Sequence, residues 1–576
     1  MDRQSSIRSA WRNLKDAHGD IFTIFRNLKW LIAISFIACL ALYLPDQVRE
    51  LYRVSAANGG STALKQLAAI FAIGLSIWFG AFQIATETSN RIDATKPWTV
   101  WFLRILPIAL GMLPMLAAIV AQLLSRPALN GLGGEDLEAL RQVGNIFRIQ
   151  ENALSDDGII LIILALASAA LAIAFVFRAW RSRDTALVFS ANANRRYFSR
   201  PLYGLATICV IALVTVFFIA MPDRLPQALG SFGVFALFIV CLTFFSVHAS
   251  LLTIKHRVPY IPLICGVALV IGVIGGDNHE IRTIYTTATT SELPRISAKE
   301  AFTQWVTQPD RVANIKRAEI YPVFVVSAQG GGLYAAYNTA TFLARLIDLC
   351  PGFRRHLFAI SSVSGGSVGA AVFASALRLS DGAQSSISNS AIVTGLGDGS
   401  CKTISTFLSH SQELFTLHTP GVIEQRVQQV LGNDFLAPLV AGSLFPDFTQ
   451  LFIPVPIGPF DRARTLEYTL ENALDRIADD SNVSSNILKE DYQLHWSPEN
   501  GMPALIMNST DAGSGKRVLI SPFDIGTNSK DSDLCMLANK SSSQESKSTS
   551  LHFRFKHRRL YQRPISVGHT RGDRNS

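Results

Sequence analysis

Seven apolar runs, each about as long as a bilayer crossing, fill the first half of the chain, at 30–48, 66–86, 103–124, 158–178, 202–221, 230–253 and 259–276. A helix needs about 20 predominantly apolar residues to span a hydrocarbon core. Lipid offers backbone polar groups no partner, so such runs must be helical. The fourth, GIILIILALASAALAIAFVF, carries no charge, and the fifth and sixth are as clean apart from His248 near the end of the sixth. Pro45 and Asp46 close the first run early. Pro107 and Pro114 interrupt the third, which a membrane helix tolerates with a kink. Trp30, Trp78, Trp98, Trp101, Trp180 and Tyr260 sit near run ends, where aromatic rings favour the membrane interface. Soluble buried helices seldom run this long without charge, so residues 1–276 are expected to form an all-α transmembrane bundle.

After Gly276 the pattern changes. Residues 277–317 are mixed and polar and read as a linker. From Tyr321, YPVFVVSA is a short apolar run followed by glycines and a helix-like stretch from Tyr334 to Leu349. HLFAISSV repeats the arrangement, leading through glycines into the small-residue stretch GAAVFASAL. Strand, glycine turn and helix, twice over, predict an α/β domain with a mostly parallel sheet and crossover helices over 318–525. Residues 381–402 are Gly/Ser-rich and read as a surface loop. The last stretch, 526–576, is polar, basic and without hydrophobic period, and is expected to be disordered.

Composition sharpens this division. Of 576 residues, 49% are hydrophobic and 16% charged, against about 25% charged in soluble proteins. The deficit lies almost entirely in the first half. The formal net charge is +9, but without interleaved basic and aromatic residues, so nucleic acid is not an expected partner. Basic residues cluster in the N-terminal tail (Arg3, Arg8, Arg12, Lys15, Arg26, Lys29), after the fourth run (Arg178, Arg181, Arg183, Arg195, Arg196, Arg200) and at Lys255 and Arg257. The positive-inside rule then places the N-terminus in the cytoplasm, and seven crossings put the C-terminal domain on the opposite side. The first run lacks an A-x-A-like cleavage site and reads as a retained anchor. Four of the seven cysteines, Cys39, Cys209, Cys241 and Cys265, lie in apolar runs, and no CxxC or Cys/His spacing suggests zinc.

The candidate chemistry lies in Ser362-Val363-Ser364-Gly365-Gly366-Ser367-Val368-Gly369. An apolar strand enters it and a small-residue helix leaves it. A tight turn lifts a serine hydroxyl clear of the sheet, and small neighbours let strand and helix approach. The following helix turns its positive end toward the site. Two serines compete. Ser367 is the centre of a literal G-x-S-x-G, whereas Ser364 falls where the strand ends and is preferred as nucleophile. Upstream, Gln329-Gly330-Gly331-Gly332-Leu333-Tyr334-Ala335-Ala336 lets backbone N–H groups converge on an oxyanion. A dinucleotide loop would need glycine at Ala335 and an acidic residue about 20 positions on, and neither is present.

Together, SAQGGGLYAAY and FAISSVSGGSVGAA, about 30 residues apart, resemble the patatin-like phospholipases. LGNDFLAPLVAGSLFPDF, FDRARTLE and PALIMNSTDAGSGKRVLISPFD are similar to bacterial members with membrane-spanning N-termini, over roughly 318–525. The resemblance implies a three-layer α/β domain, a bacterial inner-membrane location and a membrane lipid as substrate. It implies Ser364 as nucleophile, Gly330, Gly331, Gly332 and Gly365 around the oxyanion hole, and no metal or organic cofactor. It also implies a Ser–Asp dyad, and here the sequence departs from the family. No late Asp-Gly-Gly or Asp-Gly-Ala follows a strand, and the tail looks like a truncated or frame-shifted end, leaving the domain incomplete. Asp511, in Asp-Ala-Gly, is the nearest substitute, and Asp398 lies within the Gly/Ser loop.

Other polar residues have plainer readings. His356, His418 and His495 are candidate triad histidines, but none sits in a recognisable late loop and the preferred reading is surface or core histidines; Asp461 reads as a helix cap followed by Arg462, Ala463 and Arg464, and Asp447 as structural. His248 is an interfacial side chain near a run's end. Two alternatives stay open: an inactive product of a disrupted gene, and a transporter or receptor carrying a degenerate hydrolase module. Oligomeric state is not legible.

Overall fold

The computed structural model describes residues 2–57, 60–89, 91–92, 97–125, 151–181, 201–275, 296–316, 321–386, 420–480, 487–489, 492, 495–499, 501–510, 515, 517–525 and 534–536. Two compact units emerge: Met1–Glu280 with Asp434–Thr465, and Ile281–Asn433 with Leu466–Ser576. Residues 434–465, read from the sequence as part of the hydrolase region, thus group with the apolar helices.

In the first unit every apolar run is helical. The helices are α1 (Asp2–Tyr43), α2 (Asp46–Ala57), α3 (Gly60–Ser89), α4 (Pro97–Leu124), α5 (Glu151–Arg181), α6 (Pro201–Ala220), α7 (Arg224–His256) and α8 (Tyr260–Gly275). Among the described residues five stretches are long and apolar enough to cross a membrane: Gly19–Tyr43, Gly60–Ser89, Trp98–Leu124, Ile160–Arg178 and Arg224–His256. Gly204–Ala220 and Tyr260–Val273 are shorter apolar helices. Pro45 ends α1 because the residue before a proline is pushed out of the helical region, and Asp46 then starts α2 at its positive end. This short helix was not foreseen, although Tyr52 on it is fully buried and its hydroxyl reaches Leu42 O. α4 runs through Pro107 and Pro114 as one helix.

The helices pack through small residues. A Cβ on Gly74 of α3 would lie 2.7 Å from Gly111 O of α4, and one on Gly111 would meet Gly74 O at 2.7 Å. Without a hydrophobic force between helices in lipid, such close backbone approach supplies dispersion contact. Ser35 Oγ of α1 donates to Leu110 O of α4 at 2.8 Å. Ile24, Leu28, Leu31, Ile73, Ile77 and Ile84 fill the interior. Large apolar side chains also cover the outside: Ile163, Leu166, Ile173 and Phe177 on α5, and Leu205, Ile208 and Val216 on α6, are each more than half exposed. That inverts the usual burial rule of water-soluble folds and fits a hydrocarbon surround.

The second unit is built on a sheet in the order β1 (Phe324–Ala328), β2 (Leu357–Val363), β3 (Ala504–Thr510), β4 (Arg517–Ile520), β5 (Leu534–Met536). β1, β2 and β3 are parallel, β4 is antiparallel to β3, and β5 is parallel to β4. The sheet is therefore mixed, and within the tail residues 534–536 add a strand to it. α9 (Ala298–Val306) begins at Ser297, whose hydroxyl accepts from Glu300 N. Its Trp305 packs with Phe358, Trp496 and Phe523. α11 (Gly332–Leu349) follows β1, after the short α10 (Pro309–Ile315), and α12 (Gly365–Ser386) follows β2. α11 packs on α12 and on α13 (Val422–Leu431).

One buried ion pair joins α11 to α13. Arg345 Nε lies 3.1 and 3.0 Å from the two Glu424 carboxylate oxygens, and Arg345 Nη2 lies 2.5 Å from Oε1. Asp348 accepts from Ile423 N and Glu424 N, closing the start of α13. Glu424 is fully buried. Glu424→Ala is expected to destabilise the unit by about 3–5 kcal/mol, because the largely buried Arg345 guanidinium loses the carboxylate that it meets through two of its nitrogens. A thermal melt should fall by on the order of 10 °C; an unchanged melt would refute this account.

Candidate functional site

The sequence places a serine where a short strand meets a glycine-rich helix start, and the backbone there is unusual. Ser364 has φ +53°. A non-glycine residue at positive φ is strained by roughly 1–2 kcal/mol. β2 is buried almost to its end, yet Val363 and Ser364 are exposed, so the turn carries the serine out of the sheet. Ser367 N and Val368 N donate to Ser364 O at 2.9 and 3.3 Å, so α12 opens on the serine itself.

The first glycine loop lies against this turn. β1 neighbours β2 in parallel, with Ala328 in register with Ser362, so the residues leaving each strand emerge at the same sheet edge. Gly331 and Gly332 have φ +148° and +64°, conformations that the absence of a side chain makes accessible. A Cβ on Gly330 would stand 3.1 Å from Ser364 Cβ and 3.7 Å from Ser364 Oγ. A Cβ on Gly365 would collide with Gly332 O and lie 3.0 Å from Gly332 N. One on Gly366 would come within 2.5 Å of Ala328 O and Gln329 O. The starts of α11 and α12 therefore meet beside Ser364. Two helix N-termini bring their free N–H groups and partial positive charge to one place. The arrangement favours an anion next to an exposed hydroxyl.

Ser367 fits the nucleophile's part less well. Its Oγ is buried and without a hydrogen-bond partner. The third strand approaches the serine from the other side. Val363 is in register with Asn508, whose Nδ2 donates to Ser361 Oγ and Ser362 O at 3.1 Å each. Asn508 thus holds the two residues ahead of the turn; sequence reading passed over it inside LIMNST. β3 ends at Thr510. Asp511, Asp398 and His418 lie outside the described residues. Among the described residues no carboxylate or imidazole hydrogen-bonds to Ser364 Oγ.

The remaining candidates sit elsewhere. His356 precedes β2, so a whole strand, on the order of 20 Å, separates it from Ser364. Its Nδ1 lies 2.8 Å from Pro322 O and its ring packs on Tyr321. Burial pushes its pKa down. His495 is buried, with Nε2 3.3 Å from Pro503 O, just before β3 and so also at the far end. Asp461 Oδ1 accepts from Ala463 N, and Asp447 pairs with Arg462 at 2.5 Å, both in the first unit. His248 lies on α7 against Gly204 of α6. Among the described residues no group of three or more His, Cys, Asp or Glu is arranged to hold a metal ion.

Cys350 is disulfide-bonded, whereas Cys39, Cys209, Cys241 and Cys265 are free. No family model matches the chain, and no curated protein or solved structure is found similar to it.

Proposed function

We propose that this chain is a membrane-bound lipid acyl hydrolase of patatin-like type, with Ser364 as nucleophile and the amides around Gly330, Gly331, Gly332 and Gly365 as its oxyanion hole. One observation carries the reading: an exposed serine at φ +53° stands where two glycine-opened helices start. Strained, exposed residues persist where function uses them. The apolar helices of the same chain would keep such an enzyme where lipid esters are concentrated.

In this mechanism Ser364 Oγ attacks the ester carbonyl carbon, and its proton passes to a base. The carbonyl oxygen becomes an oxyanion held by backbone N–H groups. Collapse expels the alcohol, and water then releases the acyl group from the serine. A serine needs an adjacent base to be an effective nucleophile. Asp511, the residue after the last one of β3, is the proposed base.

Fluorophosphonate labelling of the folded, detergent-solubilised chain, with the adduct mapped by mass spectrometry, tests this. An adduct on Ser364 is expected. An adduct on Ser367 would reassign the nucleophile, and no adduct on folded protein would favour the inactive reading.

A further inference from the structure

The stretch from Phe435 to Phe460 contains one charged residue, Asp447. It forms α14 (Leu436–Gly442), a wide helical turn over Ser443–Asp447 containing Pro446, another turn through Gln450, and an irregular loop. Ala441 and Phe445 are buried with Phe218 of α6 and Val234 and Cys241 of α7. The Phe445 ring lies 4.9 Å from Phe218 and 5.8 Å from Phe238, and the Phe448 ring lies 5.4 Å from Phe238. Asp434 O accepts from Gln227 Nε2 at 2.9 Å, near the start of α7. From Ser231, where regular α7 resumes after the Gly230 break, to Phe238 is on the order of 10 Å along the axis. The segment thus starts at one end of α7 and extends well along it.

Its own polar groups are turned inward. Gln450 is almost fully buried, donates to Ile453 O and Val455 O at 3.2 and 2.8 Å, and accepts from Ile457 N at 3.0 Å. Ser443 Oγ and Thr449 Oγ1 donate to carbonyls four residues back. Pro454, Pro456 and Pro459 bring no N–H to the loop. Asp447 is paired with Arg462 at 2.5 Å. The apolar side chains are left outside: Phe448, Leu451, Val455 and Ile457 are each more than a third exposed. Non-helical backbone at membrane depth is tolerated where protein supports it, and here Gln450 takes up three of the loop's backbone groups while Ala441 and Phe445 seat the segment against α6 and α7.

We infer that Phe435–Phe460 is a re-entrant wedge that enters the bilayer beside α6 and α7, with Leu451, Val455 and Ile457 against lipid acyl chains. The occupant of this surface is the hydrocarbon layer, because the wedge packs on Phe218 of α6, whose sequence neighbours Val216 and Phe217 are themselves 59% and 46% exposed apolar side chains. The inference stands independently of the role of Ser364.

The test uses the full chain in phosphatidylcholine vesicles doped with a phosphatidylcholine carrying a diazirine within its acyl chain. After irradiation, adducts are mapped by mass spectrometry. The peptide holding Leu451–Ile457 is expected to be labelled to within about threefold of the α6 peptide. A Leu451→Glu, Val455→Glu double variant should lose about tenfold of the wedge label while the α6 label, which reports the intact bundle, is unchanged. The inference is overturned if α6 is labelled and the wedge is not. It is equally overturned if the wedge cross-links to a second copy or another protein in place of lipid, or if the double variant keeps its wedge label.

Discussion

Alanine in place of Ser364 is expected to abolish hydrolysis of a short-chain p-nitrophenyl ester, lowering kcat/KM by at least about 10³-fold, the scale on which loss of a catalytic serine acts. The fold should survive, since the exposed hydroxyl makes no hydrogen bond among the described residues. Ser364→Gly separates chemistry from folding. It should be as inactive, yet more stable by about 0.5–1 kcal/mol, because glycine adopts positive φ without strain. Ser367→Ala should leave activity within about twofold and stability unchanged or slightly raised, since it removes a buried hydroxyl with no partner. Activity that persists in Ser364→Ala would remove the nucleophile assignment.

The second large effect belongs to Gly365. A methyl group there would overlap the Gly332 carbonyl oxygen and stand 2.8 Å from its carbon. Both partners are backbone at the opening turns of α11 and α12, so neither can swing aside. Gly365→Ala is expected to cost about 1–3 kcal/mol by overpacking. It should also lower activity by about 10²-fold or more, because the serine and the facing amides separate. Gly330→Ala is the milder control, with its nearest contact at 3.1 Å. Equal loss in the two variants would mean that the meeting of the helix starts does not set the site's geometry. The readouts are ester hydrolysis and the thermal melt.

The helices, β1, β2 and the serine turn could be read from sequence because their signals are local. Apolar runs fix the helices, and a strand followed by glycines fixes the turn. The features that were missed depend on distant partners. The Arg345–Glu424 pair spans 79 positions, and the Gln227–Asp434 hydrogen bond spans 207. The wedge lacks an unbroken apolar window because prolines divide it, so LAPLVAGSLFPDF passed as soluble sequence. Asn508 was one polar residue in a strand, and only the register with Val363 shows what it holds. The mixed sheet was hidden for a similar reason, since β5 is three residues within a polar tail. The base stays a matter of sequence, because the motif expected for it is absent and Asp511 lies outside the described residues.

The hydrogen bond between Gln227 and Asp434 imposes a parity on the chain. Gln227 lies in the first turn of α7, so Asp434 is at that end of the helix. A crossing by α7 carries the chain to the far face, and the chain must be back by residue 434. Among the described residues between His256 and Asp434 the only strongly apolar helix is α8, of 16 residues, or about 24 Å. If α7 crosses, α8 has to be the return stroke despite its shortness, and the bilayer must thin locally or α8 stand nearly upright to make that possible. On that condition a helix of doubtful length becomes the partner stroke of α7, and an epitope inserted at Val258 is expected to report the face opposite to one inserted at Pro222.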